Sequence, residues 1–490
     1  MTTAPAESTD AREASSEHSS HSSRASRFRN VAVTACVCVV LVVYVRSALS
    51  YEKSLNPAPN RTDFHNLIAD SIIHHQADLT IKPPRQLLRL KDPYDPFANK
   101  QYVLGHGLTD LSLYKGKLYA YFGPAPAILL FIPFRLLRVG DLSPTLAGLL
   151  FAAGGFASSV LLFKRLTRYF FGRIPLWIDC FSVLALGLAV PVPFIVYMGR
   201  GYEVAIACGY FLLFAGLYLL VSGLLSTARA GVVSLAAGSA ALGLAVATRS
   251  DLVLAVFFIV VAAVVVLRTD RDERRDRVVR LAAIVAPYLI LGILIALYNV
   301  IRFGSVTEFG QGYQLMAYNP RTMAYYRPWY IPHGLYYYLL APARFLSTYP
   351  YLYLLKFVPY EKAQSNDVYP IEPVAGVLTN MPLIALGLVT AGTQLRALAR
   401  RCRPALLAIV SGLLVGAAIL LAISFAFRGA TMRYTLDFAP LLLVSGLLAW
   451  AFWSTGRAPR GARFWLVQGV WVVALVVSVL FNLAITLTAP

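Results

Sequence analysis

The chain has 490 residues, of which 58% are apolar and 14% charged, with a mean hydropathy of +0.63. So few charges cannot cover a soluble domain with a water-facing shell, and apolar runs long enough to cross roughly 30 Å of hydrocarbon recur along nearly the whole sequence. The net charge of +20 does not point to nucleic acid. Most Lys and Arg sit in short loops between apolar runs, as membrane orientation requires, and no basic groove interleaved with aromatics accompanies them. The predicted class is all-α, a polytopic transmembrane helical bundle with about eleven crossings. The lipid bilayer is a partner and nucleic acid is not.

Residues 1–30 are polar and hold almost no large apolar side chains, which predicts a disordered tail. The run from Val31 to Leu49 spans next. Its polar lead and Arg46 favour an uncleaved anchor over a signal peptide, and Arg24, Arg27 and Arg29 put the N-terminus in the cytoplasm. Further spans are predicted at 143–163, 176–198, 204–225, 231–248, 252–267, 281–301, 375–395, 405–426, 434–453 and 464–486. Counting crossings from the N-terminus makes every basic connection cytoplasmic: 164–173, Arg229, 268–277, 396–403 and 456–463. This holds provided that 118–138, with prolines at 124, 126 and 133, is interfacial or re-entrant rather than crossing. The expected organisation is a tail (1–30), an N-terminal transmembrane module (31–301) with a first outer loop (50–117), a Tyr-rich outer loop (302–374) and C-terminal transmembrane helices (375–490). A multi-pass protein of the cell (inner) membrane is expected, with no large soluble C-terminal domain.

The first outer loop contains RTDFHNLIADSIIHHQADL (61–79), in which Phe64, Leu67, Ile68, Ile72 and Leu79 recur at near-helical spacing while Asp63, His65, Asp70 and His74 lie elsewhere. This predicts an amphipathic helix on the membrane surface. Asp63 begins it, either as an N-cap or as a carboxylate available as a base. DPYDPFANK (92–100) carries turn signals, and DLSLYKGKLYAYFGPAP (110–126) follows it. His74 and His75 are adjacent and would diverge from a helix, and Cys36, Cys38, Cys180, Cys208 and Cys402 have no metal-ligand spacing, so no metal site is assigned.

Three outer corners carry charge at the membrane edge: YMGRGYEVA (197–205) with Arg200 and Glu203, TRSD (248–251) with Arg249 and Asp251, and FRGATMRYTLDFAP (427–440) with Arg428, Arg433 and Asp437. Outer loops this short normally carry few cations, so Arg200, Arg249 and Arg433 need partners. Neighbouring carboxylates such as Asp251 and Asp437, lipid headgroups, or a lipid-linked phosphate gripped bidentately would each serve. The aromatics of 302–374 (Tyr325, Tyr326, Trp329, Tyr330, Tyr336–Tyr338, Tyr349, Tyr351, Tyr353) suit the membrane–water boundary and also make stacking surfaces for sugars.

The early span, the outer loop opening on an acidic residue, and the stretches DFHNLIADSII and DLSLYKGKLYAYFGPAPAILLFIPF together resemble the C-type (GT-C) glycosyltransferase superfold. Its members include protein O-mannosyltransferases, the bacterial aminoarabinose transferase and oligosaccharyltransferase catalytic subunits. MGRGYE, GLAVATRSD and RYTLDFAP resemble further short elements of that superfold. The resemblance implies an inverting transfer of a sugar from a polyprenyl-phosphate donor to a glycan, lipid or protein acceptor outside the cytoplasm. It implies Asp63 as catalytic base with Glu203 as a second catalytic acid residue, and Arg200, Arg249, Arg433 and His65 as substrate contacts. A divalent metal is compatible with this chemistry, but no cofactor is called for. A transporter or flippase for a lipid-linked or anionic solute, and a scaffold without chemistry, are the competing classes. A transport site would put ionisable groups near mid-membrane, whereas here they sit at one edge.

Overall fold

In the computed structural model, residues 7–488 are described apart from 53, 56–62, 138–139, 227–228, 269–272, 349–351, 358–367, 401–403 and 456–460. Tyr349, Tyr351 and Cys402 therefore lie outside the described residues. Helix α1 runs Glu7–Glu52. Its first half was expected to be disordered, yet the backbone is helical from Glu7, in keeping with a stretch that holds no Pro or Gly to break it. Then follow the short helices α2 (Phe64–Ile73), α3 (Arg85–Leu88) and α4 (Pro96–Gly105), the hairpin β1 (Leu111–Tyr114) and β2 (Lys117–Ala120), a π-turn at Ala127–Phe131 and α5 (Ile132–Leu136). The hairpin turns on Lys115 and Gly116, both at positive φ, the backbone a two-residue loop needs to match strand twist.

The bundle proper comprises α6 (Pro144–Phe171), α7 (Leu176–Leu188), α8 (Val192–Met198), α9 (Gly201–Leu224), α10 (Arg229–Val246), α11 (Val256–Arg268, entered through a 3₁₀ turn at Ser250–Ala255) and α12 (Arg274–Phe303). α7 and α8 are one expected span, broken where Pro191 and Pro193 remove backbone donors. The second outer segment holds α13 (Tyr330–Leu335) and the short strands β3 (Arg344–Phe345), β4 (Leu352–Tyr353), β5 (Leu355–Phe357) and β6 (Ile371–Val374), paired antiparallel as β3–β4 and β5–β6. α14 (Val377–Asn380), α15 (Pro382–Arg400), α16 (Pro404–Ala426), α17 (Ala439–Thr455) and α18 (Ala462–Thr488) complete the chain.

Among the described residues nine helices are long and apolar enough to cross a membrane. α17 has 17 residues and α15 ends in a polar stretch with Gln394, Arg396 and Arg400, and with these two the number of expected crossings is reached. They cross at a close approach in which a Cβ on Gly446 would lie 2.5 Å from Gly387 Cα, the small-residue contact that brings membrane helices together. The segment 118–138 does not span. Its apolar helix, Ala127–Leu136, has ten residues, which is about 15 Å or half the hydrocarbon thickness. Arg135 fastens it, pairing with Asp70 on α2 and with Asp141 at 2.6 Å.

α2 forms where the periodicity predicts, but it is more enclosed than a surface helix. His65, Asn66, Leu67, Ile68, Ala69 and Ser71 are all buried, because its polar members find internal acceptors: His65 Nε2 meets Gly201 O at 3.0 Å and Asn66 Nδ2 donates to Leu142 O at 2.8 Å. The two outer segments are joined as well. Ser112 Oγ donates to Gly310 O, Leu315 N–H to Leu111 O and Arg302 to Ala120 O.

Candidate functional site

The corners that parity assigns to one side do meet at one end of the bundle. A cavity of about 690 Å³ is lined there by Asp110, Arg200, Glu203, Lys356, Glu372, Arg428 and Arg433 among aromatic neighbours. A narrower pocket of about 90 Å³, lined by Arg249, Asp251, Ile206 and Ile423, shares Tyr121, Tyr202, Gln311, Phe427, Arg433 and Tyr434 with it. These residues come from the two long outer segments and from all three charged corners.

Arg433 is the hub. It sits on a 3₁₀ turn (Met432–Asp437) leading into α17, with Nη2 2.7 Å from Glu372 on β6 and Nη1 3.5 Å from Glu203 in the first turn of α9. The rings of Tyr202 and Tyr434 lie 5.0 and 5.7 Å from its guanidinium carbon, a cation–π cage for a desolvated cation. Burial opposes its charge, but Glu372 and the other acidic neighbours outweigh burial and raise its pKa. Glu203 is 1% exposed, and among the described residues its Oε2 has no hydrogen-bond partner.

The guanidinium of Arg249 also packs on the Tyr434 ring, 5.0 Å from its centre. Its Nη1 reaches both oxygens of Asp437 at 2.7 and 2.8 Å, and its Nη2 reaches Asp251 at 2.7 Å. One of its partners is thus a sequence neighbour and the other comes from the Arg433 turn, whereas both partners of Arg433 lie on other elements. The backbone here is held by close approach: Gly123 N–H donates to Thr248 O, and a Cβ at Gly123 would come within 1.8 Å of Ala247 O.

Of the residues expected from sequence, Glu203, Arg200, Arg249 and Arg433 line the joined space, and Asp63 and His65 do not. Both are buried one layer behind it. Asp63 accepts from Asn66 Nδ2 at 2.6 Å, and burial pushes its carboxyl up to about 7 against the pull of that bond. His65 lies between the rings of Phe122 and Phe131, and burial lowers it to about 4, which leaves it neutral. The wall in front is Phe64, packed on Phe122 and Tyr202. Asp63 and Glu203 do share one end of the bundle, since α2 is bonded to Gly201 at the start of α9.

Asp110, Glu372, Lys356 and the tyrosines 202 and 434 received no role from sequence. The available signal was slight: isolated charges in otherwise apolar and aromatic outer segments. Among the described residues no group of three or more His, Cys, Asp and Glu side chains is arranged to hold a metal.

No protein-family model matches the chain, and no curated protein matches it. Among solved structures it is similar to ArnT from Cupriavidus metallidurans bound to undecaprenyl phosphate, at 15% identity and a TM-score of 0.45, over 93% of this chain and 76% of that one. The apo state of that protein gives the same identity and coverage with a TM-score of 0.42. The archaeal oligosaccharyltransferase AglB from Archaeoglobus fulgidus, in complex with an inhibitory peptide and a dolichol-phosphate, gives 12% identity and a TM-score of 0.42, over 92% of this chain and 55% of that one.

Proposed function

We propose that the protein is an integral membrane glycosyltransferase that moves a sugar, with inversion, from a polyprenyl-phosphate donor to an acceptor on the non-cytoplasmic side. The observation that carries this reading is the joined cavity at the bundle end, where cations and carboxylates from five separate segments converge. Its lining holds four cations, Arg200, Lys356, Arg428 and Arg433, against three carboxylates, Asp110, Glu203 and Glu372, so the balance favours an anionic ligand. Arg200 and Lys356 have no ion-pair partner among the described residues, and a donor phosphate would satisfy them together with Arg433. The narrow pocket runs between Ile206 and Ile423, side chains of two spanning helices, a fitting exit for a lipid chain. Arg249, already matched by two carboxylates, fixes the pocket wall and adds less net charge. Undecaprenyl phosphate and dolichol-phosphate, held by two of the similar structures, belong to the carrier class proposed here.

A transport reading fits the charge placement less well. Within the described spans the buried ionisable groups lie near helix ends: Glu203 in the first turn of α9, Arg280 in the second turn of α12 and Arg302 in its last, Asp179 in the first turn of α7. Transporters hold their substrates near the midplane.

The test is radiolabelled sugar transfer in membranes from undecaprenyl-phosphate-linked hexoses and pentoses. Wild-type transfer that Arg433→Gln abolishes supports the reading, and a wild type silent with every donor overturns it.

A further inference from the structure

We infer that Asp110 is the group that takes the acceptor's proton, an assignment that rests on the transferase reading above and names the base that reading needs. The residue stands at the entry to β1, with its backbone in the left-handed region at φ +66°, which Asp tolerates better than most side chains. Two bonds to the second outer segment hold that backbone: Asp110 N–H donates to Leu315 O at 2.8 Å, and Gln314 Nε2 donates to Asp110 O at 3.4 Å. A sparsely populated backbone fixed from outside is a feature of functional positions. The carboxylate lines the large cavity and accepts a hydrogen bond from the Tyr202 hydroxyl, and Tyr202 is the same side chain that cages Arg433. Base and anion-binding cation are therefore positioned by one residue, on opposite parts of its ring system.

The surroundings set Asp110 near the protonation state the work needs. Burial raises its carboxyl to about 7, Arg433 holding it down and Glu372 adding to the rise. Besides these, the groups facing it are Tyr202, Tyr121, Tyr318 and Tyr325. A base of that strength is half deprotonated near neutral pH and still accepts a proton from a hydroxyl as its oxygen forms a bond. In the step proposed, the acceptor oxygen bonds to the anomeric carbon and its proton passes to an Asp110 oxygen. The bond from that carbon to the donor phosphate oxygen breaks with its electron pair, which leaves as polyprenyl phosphate. Atoms and charge balance without a further reactant.

The experiment compares full-length wild type, Asp110→Asn, Asp110→Glu and Asp63→Asn for transfer from the donor panel above and for binding of undecaprenyl phosphate alone. Asp110→Asn is expected to lower turnover about 10²–10⁴-fold and leave undecaprenyl phosphate binding within about twofold. Asp110→Glu restores part of the rate, and wild-type turnover rises with pH through about 7. Turnover in Asp110→Asn within tenfold of wild type overturns the assignment while the transferase reading stands, as does loss of lipid binding in parallel with turnover. A wild type that transfers from no donor overturns both.

Discussion

The two ends of the bundle put the same residue types to opposite uses. At the end expected to be cytoplasmic, Arg29 donates to Ile174 O and pairs with Asp179 at 2.7 Å, Lys164 stands 3.6 Å from that same carboxylate, and Arg280 donates to Ser226 O. Trp450 stacks on Trp471 at 4.6 Å while its indole N–H donates to Gln468. These cations meet acceptors on the neighbouring helix or loop. At the opposite end Glu203 is as buried as Asp179, with Arg433 and Asp110 half-buried beside it, yet all three border about 690 Å³ of space. Burial alone thus does not mark a site. Burial beside a cavity that gathers charge from several segments does.

Substitution of Arg433 should separate the ends most sharply. Arg433→Gln removes the cation between Glu203 and Glu372 and leaves Glu203 buried without it, which costs about 3–5 kcal/mol in comparable pairs. Transfer should fall at least about 10²-fold, and Arg433→Lys should recover stability more fully than rate, because an ammonium cannot reach both carboxylates in fork geometry. Equal recovery of both in melting and turnover assays would make Arg433 a structural tie like Arg29. Gly123→Ala comes next. Its Cβ meets the backbone of Ala247, so the hairpin must move away from Arg249. Melting temperature and turnover should fall together.

Asp179→Asn is the matching test at the other end. It uncouples Arg29 and Lys164 from α7, so the melting temperature should drop while turnover per folded molecule stays unchanged. A changed Michaelis constant would mean that this end communicates with the cavity. Smaller again is Arg200→Ala combined with Lys356→Ala. Both side chains are exposed at the cavity, so the pair should raise the donor's Michaelis constant several-fold, with an effect that shrinks as salt is added.

The spans were legible because twenty-residue apolar runs have few alternative structures, and parity correctly grouped the loops that share the cavity. Arg200 pairs with no carboxylate among the described residues, but that Arg249 and Arg433 needed partners was legible from their presence in loops where cations are rare. Which carboxylate each would meet was not. Arg249 takes its sequence neighbour Asp251 but also Asp437, 188 positions later, and Arg433 takes Glu203 and Glu372 on α9 and β6, and no periodicity encodes those long-range pairings. Asp110 was hidden for a similar reason. Its place depends on bonds to Gln314 and Leu315, about 200 positions later.

The smallest effect expected is the one that most separates sequence from structure. An acidic residue opening the first outer helix looks like a base, and a base at Asp63 implies that Asp63→Asn lowers transfer about 10²–10⁴-fold. Yet Asp63 lies behind Phe64 and is engaged by Asn66, and an asparagine at this position keeps both the length and an N-cap preference. Turnover in the variant should stay within about twofold of wild type, with the same pH profile. Stability should reveal the residue instead. Burial raises the Asp63 carboxyl from 3.8 to about 7, so the folded state holds the proton more tightly than the unfolded chain. That contribution is complete below about pH 4 and disappears as pH climbs through about 7. The variant's amide has no proton to lose, so its melting temperature should gain on wild type as pH rises from about 4 to about 7. Loss of turnover without that gain would return the base to the first helix.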